Sequence, residues 1–393
     1  MLQRNRTEKS RLTVFHLVQP VDGGVARVVT DLVTQQVRAG IRPVVACPPQ
    51  GRLPGLAAQA GAVVHPWPAD RAPGPRLAAE VRTAARLIRD SGPHVVHAHS
   101  AKAGLAGRLA VRGRVPTVFQ PHAWSFDAVK GSTAELALTW ERYGTRWSTR
   151  TLCVSESERR AGEAAGIRAH WSVIRNGIDL AHFTAPTGGG RAAARSSLPE
   201  PFRVPADTPL AVCVGRLCRQ KGQDVLLRAW PAVTAAVPGA RLVLVGDGPD
   251  GTELRRGAPP GVLFAGDRAD TRPWLHAADA AVLPSRWEGM ALAPLEAMAC
   301  GLPVVVSDVS GARESLPPGQ EPYALVPPED PHALAAALVR LLTRPELRRD
   351  LGRRAEEHIR ATSDVRGTAA AVLGLYQELL STYRPMTRKR TER

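Results

Sequence analysis

A chain of 393 residues is too long for one ordinary domain and points to two or three. With 44% apolar and only 5% aromatic residues, and with 35 glycines and 34 prolines, the composition is that of a soluble globular protein with many loops, and no apolar run reaches the length of a membrane span. The formal net charge of +16 is carried mostly by single arginines, without dense basic blocks interleaved with aromatics, which argues against nucleic acid as a partner.

The basic start, residues 1–11, leads into a strand rather than a signal-peptide core and is expected to be a disordered leader. Strand and helix patterns then alternate. Strands are expected at 12–18, 43–46, 94–97, 117–120, 151–154 and 171–174. Helices are expected at 25–40, 76–90, 101–112, 133–147 and 156–165. Such alternation predicts a parallel sheet covered by helices, and residues 12–184 make one doubly wound, Rossmann-like domain. The stretch 185–209, rich in Pro, Gly and small residues, is expected to be a linker. A second alternating run has strands at 210–214, 242–245, 262–264, 280–283, 304–307 and 324–326, giving a second Rossmann-like domain over 210–364. Helical stretches follow at 332–342 and 345–359, and a last helix at 365–383 precedes a basic tail, 384–393. Segments 48–75 and 125–132 read as loops available to an acceptor. Two doubly wound domains predict one ligand site, a cleft at their strand ends.

The five cysteines, Cys47, Cys153, Cys213, Cys218 and Cys300, are scattered in apolar runs and read as buried thiols of a reducing cytoplasm. Residues 1–190 hold 25 Lys+Arg against 13 Asp+Glu. That surplus suits an anionic membrane surface or a phosphate-bearing acceptor. Only five of the 52 basic residues are lysines, so codon composition contributes to the arginine content.

Chemistry concentrates at a few turns. Gly215-Arg216-Leu217-Cys218-Arg219-Gln220-Lys221-Gly222 follows the first strand of the second domain. It brings Arg216 and Lys221 to a strand end, where they suit a phosphate; the plainer reading is a solvated basic loop. Asp22-Gly23-Gly24 opens the first helix and lets a phosphate or sugar approach backbone N–H groups, though a tight turn explains it as well. Gly246-Asp247-Gly248-Pro249-Asp250-Gly251 fits a dinucleotide fingerprint, with Asp267 and Asp270 downstream. Its carboxylates and its place on the second strand favour a turn lining the crevice instead. His94, His97 and His99 surround one strand end and suggest either zinc ligands or polar caps on the strand. His122, in a loop, can donate to a hydroxyl or phosphate. Glu288 lies on a strand-to-helix loop, and Glu296 one turn into the following helix, after Pro294. Asp-x-Asp is absent, so a divalent clamp on a diphosphate lacks its usual ligands, and no hydrolase elbow or P-loop is present.

In order, these motifs resemble family 4 of the retaining glycosyltransferases, across nearly the whole chain. The resemblance rests on Asp22-Gly23-Gly24, Val96-His97-Ala98-His99-Ser100, Pro121-His122 and Asn176-Gly177-Ile178-Asp179. In the second half it rests on Gly215-Arg216-Leu217 with Gln220-Lys221-Gly222, on Val245-Gly246-Asp247-Gly248-Pro249, on Pro284-Ser285-Arg286-Trp287-Glu288-Gly289, and on the E-x7-E from Glu288 to Glu296.

The resemblance implies the GT-B fold: two Rossmann-like parallel-sheet domains facing a cleft, with the C-terminal helix crossing back to the N-terminal domain. It implies Arg216 and Lys221 on the diphosphate of a nucleotide sugar and Glu296 on the ribose. Glu288, with the backbone of Gly289, Met290, Ala291 and Leu292, would position the donor sugar. His122 would lie over that sugar, and Gly23 and Gly24 would close on the phosphates. Asn176, Gly246, Asp247 and Gly266 would complete the donor site. Met290-Ala291 departs from the second glycine or phenylalanine common after Glu-Gly, which leaves donor identity open.

The expected function is metal-independent, retaining transfer with no cofactor, from a nucleotide sugar to a glycan, lipid-linked saccharide or small-molecule acceptor. Surface or exopolysaccharide synthesis is the expected setting. The expected location is the cytoplasm, with peripheral contact at the inner face of the plasma membrane. The alternatives are a nicotinamide-dependent oxidoreductase using Gly246 to Gly251, and a non-catalytic sugar-binding protein of the same fold.

Overall fold

The computed structural model describes residues 11–188 and 190–383; the expected leader before Arg11 and the basic tail lie outside the described residues. The chain divides into two compact units, one of residues up to 175 with those from 366 onward, the other of residues 176–365.

The first unit is built on a seven-stranded parallel sheet of β1 (Thr13–Val18), β2 (Arg42–Cys47), β3 (Val63–Pro66), β4 (Val95–His99), β5 (Thr117–Gln120), β6 (Arg150–Cys153) and β7 (Trp171–Val173). The strand order is β3-β2-β1-β4-β5-β6-β7. Both faces of its centre are covered, which is why the inner strands are apolar runs rather than alternating ones. Phe15, Leu17, Val44, Ala46 and Val96 pack in one core layer with Ala84 and Ile88 of helix Leu77–Ser91 and Ala103, Ala106 and Ala110 of helix Ser100–Val111. On the opposite side Val14, Val95, Val118 and Leu152 meet Ala369, Val372, Leu375, Tyr376 and Leu379. Those five residues come from the last helix, Val365–Thr382, which joins this unit as the fold class implied.

The segment 48–75, read from the sequence as a loop, holds helix Leu53–Gln59 and the edge strand β3. Four residues, none of them buried, ending at a proline give no apolar run to detect. Lys102 and Glu80 pair at 2.6 Å with side chains 2% and 3% exposed, and Lys102 also donates to the Ala72 carbonyl. That pair fixes the loop after β3. Arg108 and Glu141 pair at 2.7 Å in complete burial, with the guanidinium over Phe119.

The second unit holds a six-stranded parallel sheet of β8 (Leu210–Val214), β9 (Arg241–Val245), β10 (Val262–Gly266), β11 (Ala280–Leu283), β12 (Val304–Ser307) and β13 (Leu325–Val326), in the order β10-β9-β8-β11-β12-β13. Helix Gln223–Ala236 packs on Pro331–Thr343, and Leu292–Ala299 on Pro345–Thr362. The stretch expected as a linker carries helix Gly190–Ser197, packed on Arg272–Ala277. Arg195 anchors it: its guanidinium bonds Asp279 at 2.7 Å, and Asp279 also accepts from the Leu210 N–H at the start of β8.

In both sheets the chain reverses its direction of travel at one place, between β1 and β4 and between β8 and β11. Loops leaving the carboxyl ends on either side of such a switch diverge and open a crevice.

Candidate active site

At the switch of the second unit, the loop after β8 meets the loop after β11. Lys221 Nζ lies 2.6 Å from Glu288 Oε1, with side chains 19% and 9% exposed. The stem of Lys221 runs over Gly215, where an added Cβ would touch its Cγ and Cδ at 3.7 Å. Hydrogen bonds hold the two loops together: the Arg286 backbone N–H donates to the Gln220 carbonyl, and the Gln220 side-chain Nε2 to the Trp287 carbonyl. Gly222 has φ 66°, and a Cβ there would stand 2.0 Å from the Pro284 carbonyl oxygen, so only glycine fits.

Arg216 is half-buried, and its guanidinium makes no ion pair or hydrogen bond with any described residue. In a chain whose arginines are widely paired, that leaves an uncompensated positive charge on the same loop as Lys221. Arg286, in contrast, is held by Asp224 and Glu329, and its hydrogen bonds to Asp224 keep its pKa well above the ordinary value.

Helix Leu292–Ala299 follows the Glu288 loop, with Ala291 at its start, no side-chain cap and no acid in its first turn, which suits an anion at its N-terminus. Pro294 sits in its first turn and Glu296 lies 8% exposed one turn in, as the spacing predicted. Asn176 is 5% exposed and donates from Nδ2 to the Met290 carbonyl at 2.8 Å. Its side chain fixes the backbone of the Gly289–Leu292 stretch.

The glycines of Gly246-Asp247-Gly248 have a local cause. A Cβ at Gly246, with φ 140°, would lie 2.1 Å from the Gly215 oxygen, and one at Gly248 would lie 2.3 Å from the Leu217 oxygen. They let the loop after β9 lie against the Arg216 loop, and the Leu217 N–H bonds the Asp247 carbonyl. Asp247 itself accepts from the Gly248 N–H. Gly266, φ 73°, accepts from the Gly246 N–H and faces open space. Close backbone packing thus explains the glycine pattern without a dinucleotide, and the helix that follows, Gly251–Arg256, is only six residues long.

At the switch of the first unit, Gly23 and Gly24 are exposed, and an added Cβ at either meets nothing within 4 Å. Gly23, φ 76°, caps helix Gly24–Arg38, which has neither a side-chain cap nor an acid in its first turn. Open N–H groups there suit an anion.

Next to this turn lies a cluster of histidines of which the motifs hold only a part. His16 of β1 and His97 of β4 are paired in register, and His99 is two residues on, so all three face one side of the sheet. His16, His97 and His99 are fully buried. His16 Nε2 bonds Gln36 Oε1 at 2.9 Å, His16 Nδ1 bonds His99 Nε2 at 3.0 Å, and His99 Nδ1 bonds His122 Nε2 at 3.1 Å. His97 Nδ1 bonds the Tyr376 hydroxyl at 2.6 Å and stacks on His99 with ring centroids 4.0 Å apart. Burial lowers the pKa of His16 to about 4 and of His122 to about 3, and pushes His97 and His99 well below the ordinary value, so the rings are neutral near pH 7. His122 (φ 59°) and Ala123 (φ 143°) in the loop after β5, and Ser100 (φ 70°) where β4 passes into its helix, hold positive-φ backbone, a strain that clusters at functional sites.

Among the described residues, His16, His97 and His99 form the one group with side chains suited to hold a metal ion. Both ring nitrogens of His16 and of His99 are already engaged by hydrogen bonds. His97 is a core residue bonded to Tyr376, while His94 does cap a strand, its Nδ1 accepting from the Thr13 N–H. Gln36, His16 and Tyr376 went unnoticed in the sequence. The available signal was a polar residue inside an apolar strand, Phe15-His16-Leu17, and a glutamine on the buried stripe of an amphipathic helix. The five cysteines are free and buried.

Family models cover most of the chain: one described as Glycosyltransferase Family 4 matches residues 22–182, and one described as Glycosyl transferases group 1 matches residues 208–344. The lipopolysaccharide core biosynthesis mannosyltransferase LpcC of Rhizobium leguminosarum bv. viciae is 31% identical over 60% of this chain and 67% of its own length. The UDP-Gal:alpha-D-GlcNAc-diphosphoundecaprenol alpha-1,3-galactosyltransferase of Escherichia coli is 31% identical over 58% of this chain and 60% of its own. Across the first curated relatives matched, the chain spans between 51% and 64% of their length. In fold, HepE of Anabaena, crystallised with UDP and glucose, superposes with a TM-score of 0.80 at 22% identity, covering 94% of this chain and all of that one. With two Rossmann-like units, the motifs in order and these matches, the chain belongs to the family 4, group 1 glycosyltransferases of the GT-B fold.

Proposed function

We propose that the protein is a retaining glycosyltransferase that moves a sugar from a nucleotide-diphosphate sugar to a glycan, lipid-linked saccharide or small-molecule acceptor. The observation that carries this reading is the part-buried Lys221–Glu288 pair at a sheet switch point, on the same loop as an Arg216 guanidinium unpaired among the described residues. Two cations on one strand-end loop, one of them held by Glu288 from the loop that leads into an uncapped helix, suit a diphosphate leaving group. Arg216 and Lys221 hold that diphosphate, Glu296 accepts from the ribose, and Glu288 with the Gly289–Leu292 backbone positions the sugar. His122 and the Gly23-Gly24 turn are the first unit's contributions to handling the donor. Because the cations are built in and the chain has no Asp-x-Asp, transfer needs no metal and no cofactor.

The test is thermal stabilisation across UDP, GDP, ADP and TDP sugars. One nucleotide class is expected to raise the melting temperature at millimolar concentration, and NADH is not. UDP and GDP sugars come first, since the names of matched relatives include UDP-Gal and GDP-mannose. Stabilisation by NADH alone would return the reading to a nicotinamide enzyme.

The fine setting is a cytoplasmic protein in surface or exopolysaccharide synthesis that touches an anionic membrane. Among the described residues, no helix is long and apolar enough to cross a membrane. Helix Ser132–Gly144 leaves Leu136 70% and Tyr143 46% exposed, next to an open groove of about 770 Å³ lined by Arg142, Arg146, Arg168 and Trp171. Exposed apolar side chains on a helix whose Tyr143 lies among these arginines, with Arg146 over its ring at 3.6 Å, suit a headgroup layer. Flotation with phosphatidylglycerol vesicles at low salt is expected to carry the protein upward, and Leu136→Asp with Arg146→Ala to abolish it; a wild-type protein left at the bottom counts against the contact.

A further inference from the structure

The histidine chain has a direction, and it ends on His122. Gln36 Oε1 is an acceptor only, so the His16 nitrogen 2.9 Å away, Nε2, carries a proton. A neutral imidazole has one N–H, which leaves His16 Nδ1 a lone pair. His99 Nε2, 3.0 Å from it, must then be the donor. By the same step His99 Nδ1 is a lone pair, and His122 Nε2, 3.1 Å away, donates to it. His122 Nδ1 is left unprotonated, and it takes no hydrogen bond from any described residue. Each proton is fixed by the one before it, starting from an amide in the core.

Packing makes this order rigid. His16 and His99 are fully buried, and His97 stacks under His99, held by the Tyr376 hydroxyl. The left-handed backbone at His122 fixes where the last ring sits. No solvent reaches the interior rings to exchange their tautomers freely.

We propose that Gln36, His16 and His99 are positioning residues that set the tautomer of His122, so that it presents an unprotonated Nδ1 as an acceptor for a hydroxyl of the donor sugar. This rests on the reading of His122 as the residue that meets the sugar. The consequence is a specificity rule: the sugar must offer a hydroxyl hydrogen to Nδ1, and a sugar lacking that hydroxyl loses the contact and leaves a lone pair unmatched.

Imidazole nitrogen chemical shifts in histidine-labelled protein test the order directly. Wild-type His122 is expected to show a pyridine-type Nδ1 and a pyrrole-type Nε2. A pyrrole-type Nδ1 would overturn the proposal, because the Gln36 amide would then be turned over and every proton reversed. Gln36→Met keeps the volume but removes the terminal acceptor. It is expected to mix the His122 tautomers and to lower kcat/KM for the donor by roughly tenfold to a hundredfold, because the sugar hydroxyl loses its acceptor in part of the population. Val33→Ala, in the same buried helix face but outside the chain of rings, is the control for destabilisation; it is expected to leave the His122 shifts and kcat/KM unchanged. Equal losses in both variants would overturn the relay. Full activity in His122→Ala would remove the underlying reading of His122. An inactive His122→Ala beside a Gln36→Met with wild-type shifts and kcat/KM would sink the relay alone.

Discussion

Lys221→Ala is expected to lower kcat for the stabilising nucleotide sugar by on the order of a hundredfold to a thousandfold, the size of effect seen when one preorganised electrostatic group is removed. Two consequences add up. The diphosphate loses a fixed cation as its negative charge grows, and Glu288, only 9% exposed, loses the ammonium that pairs with it at 2.6 Å. A buried carboxylate without a partner takes up a proton or swings away, so the sugar-positioning loop moves as well. Coupling between the two residues should be strong: Lys221→Ala with Glu288→Gln is expected to cost less than the sum of the single changes. Lys221→Arg recovers little, since a planar fork does not sit where a point charge packs over Gly215. Turnover within a few-fold of wild type in folded Lys221→Ala would remove the site assignment.

Acid should unfold the protein unusually early. The buried histidines have pKa values lowered by burial from 6.5, to about 4 for His16 and well below the ordinary value for His97 and His99. In the unfolded chain they titrate near 6.5, so below that pH the unfolded state binds protons that the folded state refuses. Stability is therefore complete above pH 6.5 and is lost as pH falls. Each neutral ring contributes about 1.4 kcal/mol per pH unit to that loss, so three rings give about 4 kcal/mol per unit. Against a typical total of roughly 5–15 kcal/mol, a fall from pH 7 to 5 is decisive. Urea midpoints measured over this range should drop steeply, and His97→Gln should flatten the slope by about a third of the three-ring contribution. A midpoint that holds steady from pH 7 to 5 would mean the cluster is solvated or already charged.

The loops around the second unit's site were legible for a physical reason. Gly222 and Gly246 permit backbone approaches that no side chain allows, so they mark the turns by themselves. Arg216, Lys221 and Glu288 occupy loops after apolar strands that read clearly as β8 and β11, and the switch in strand order brings those loops together. The elements that escaped notice lack local signals. β3 is a short edge strand without a buried run, and Gly190–Ser197 is a helix inside a stretch of linker-like composition. Arg195 looked like one more dispersed arginine until Asp279, 84 residues away, gave it a partner.

By itself the sequence determined the alternation of strands and helices, two Rossmann-like halves, the family, and the charged side chains at the strand ends. Those are encoded in periodicity, glycine placement and short motifs, all of which are local. The tertiary structure decided which of those side chains are already occupied. It gave Asn176 to the Met290 carbonyl and left Arg216 unpaired among the described residues. It also joined Gln36, His16, His99 and His122 into one chain, with Tyr376 bonded to His97 from 279 residues away. Partnership depends on distance in space, and parallel strands joined by long crossovers bring together residues that the sequence keeps far apart.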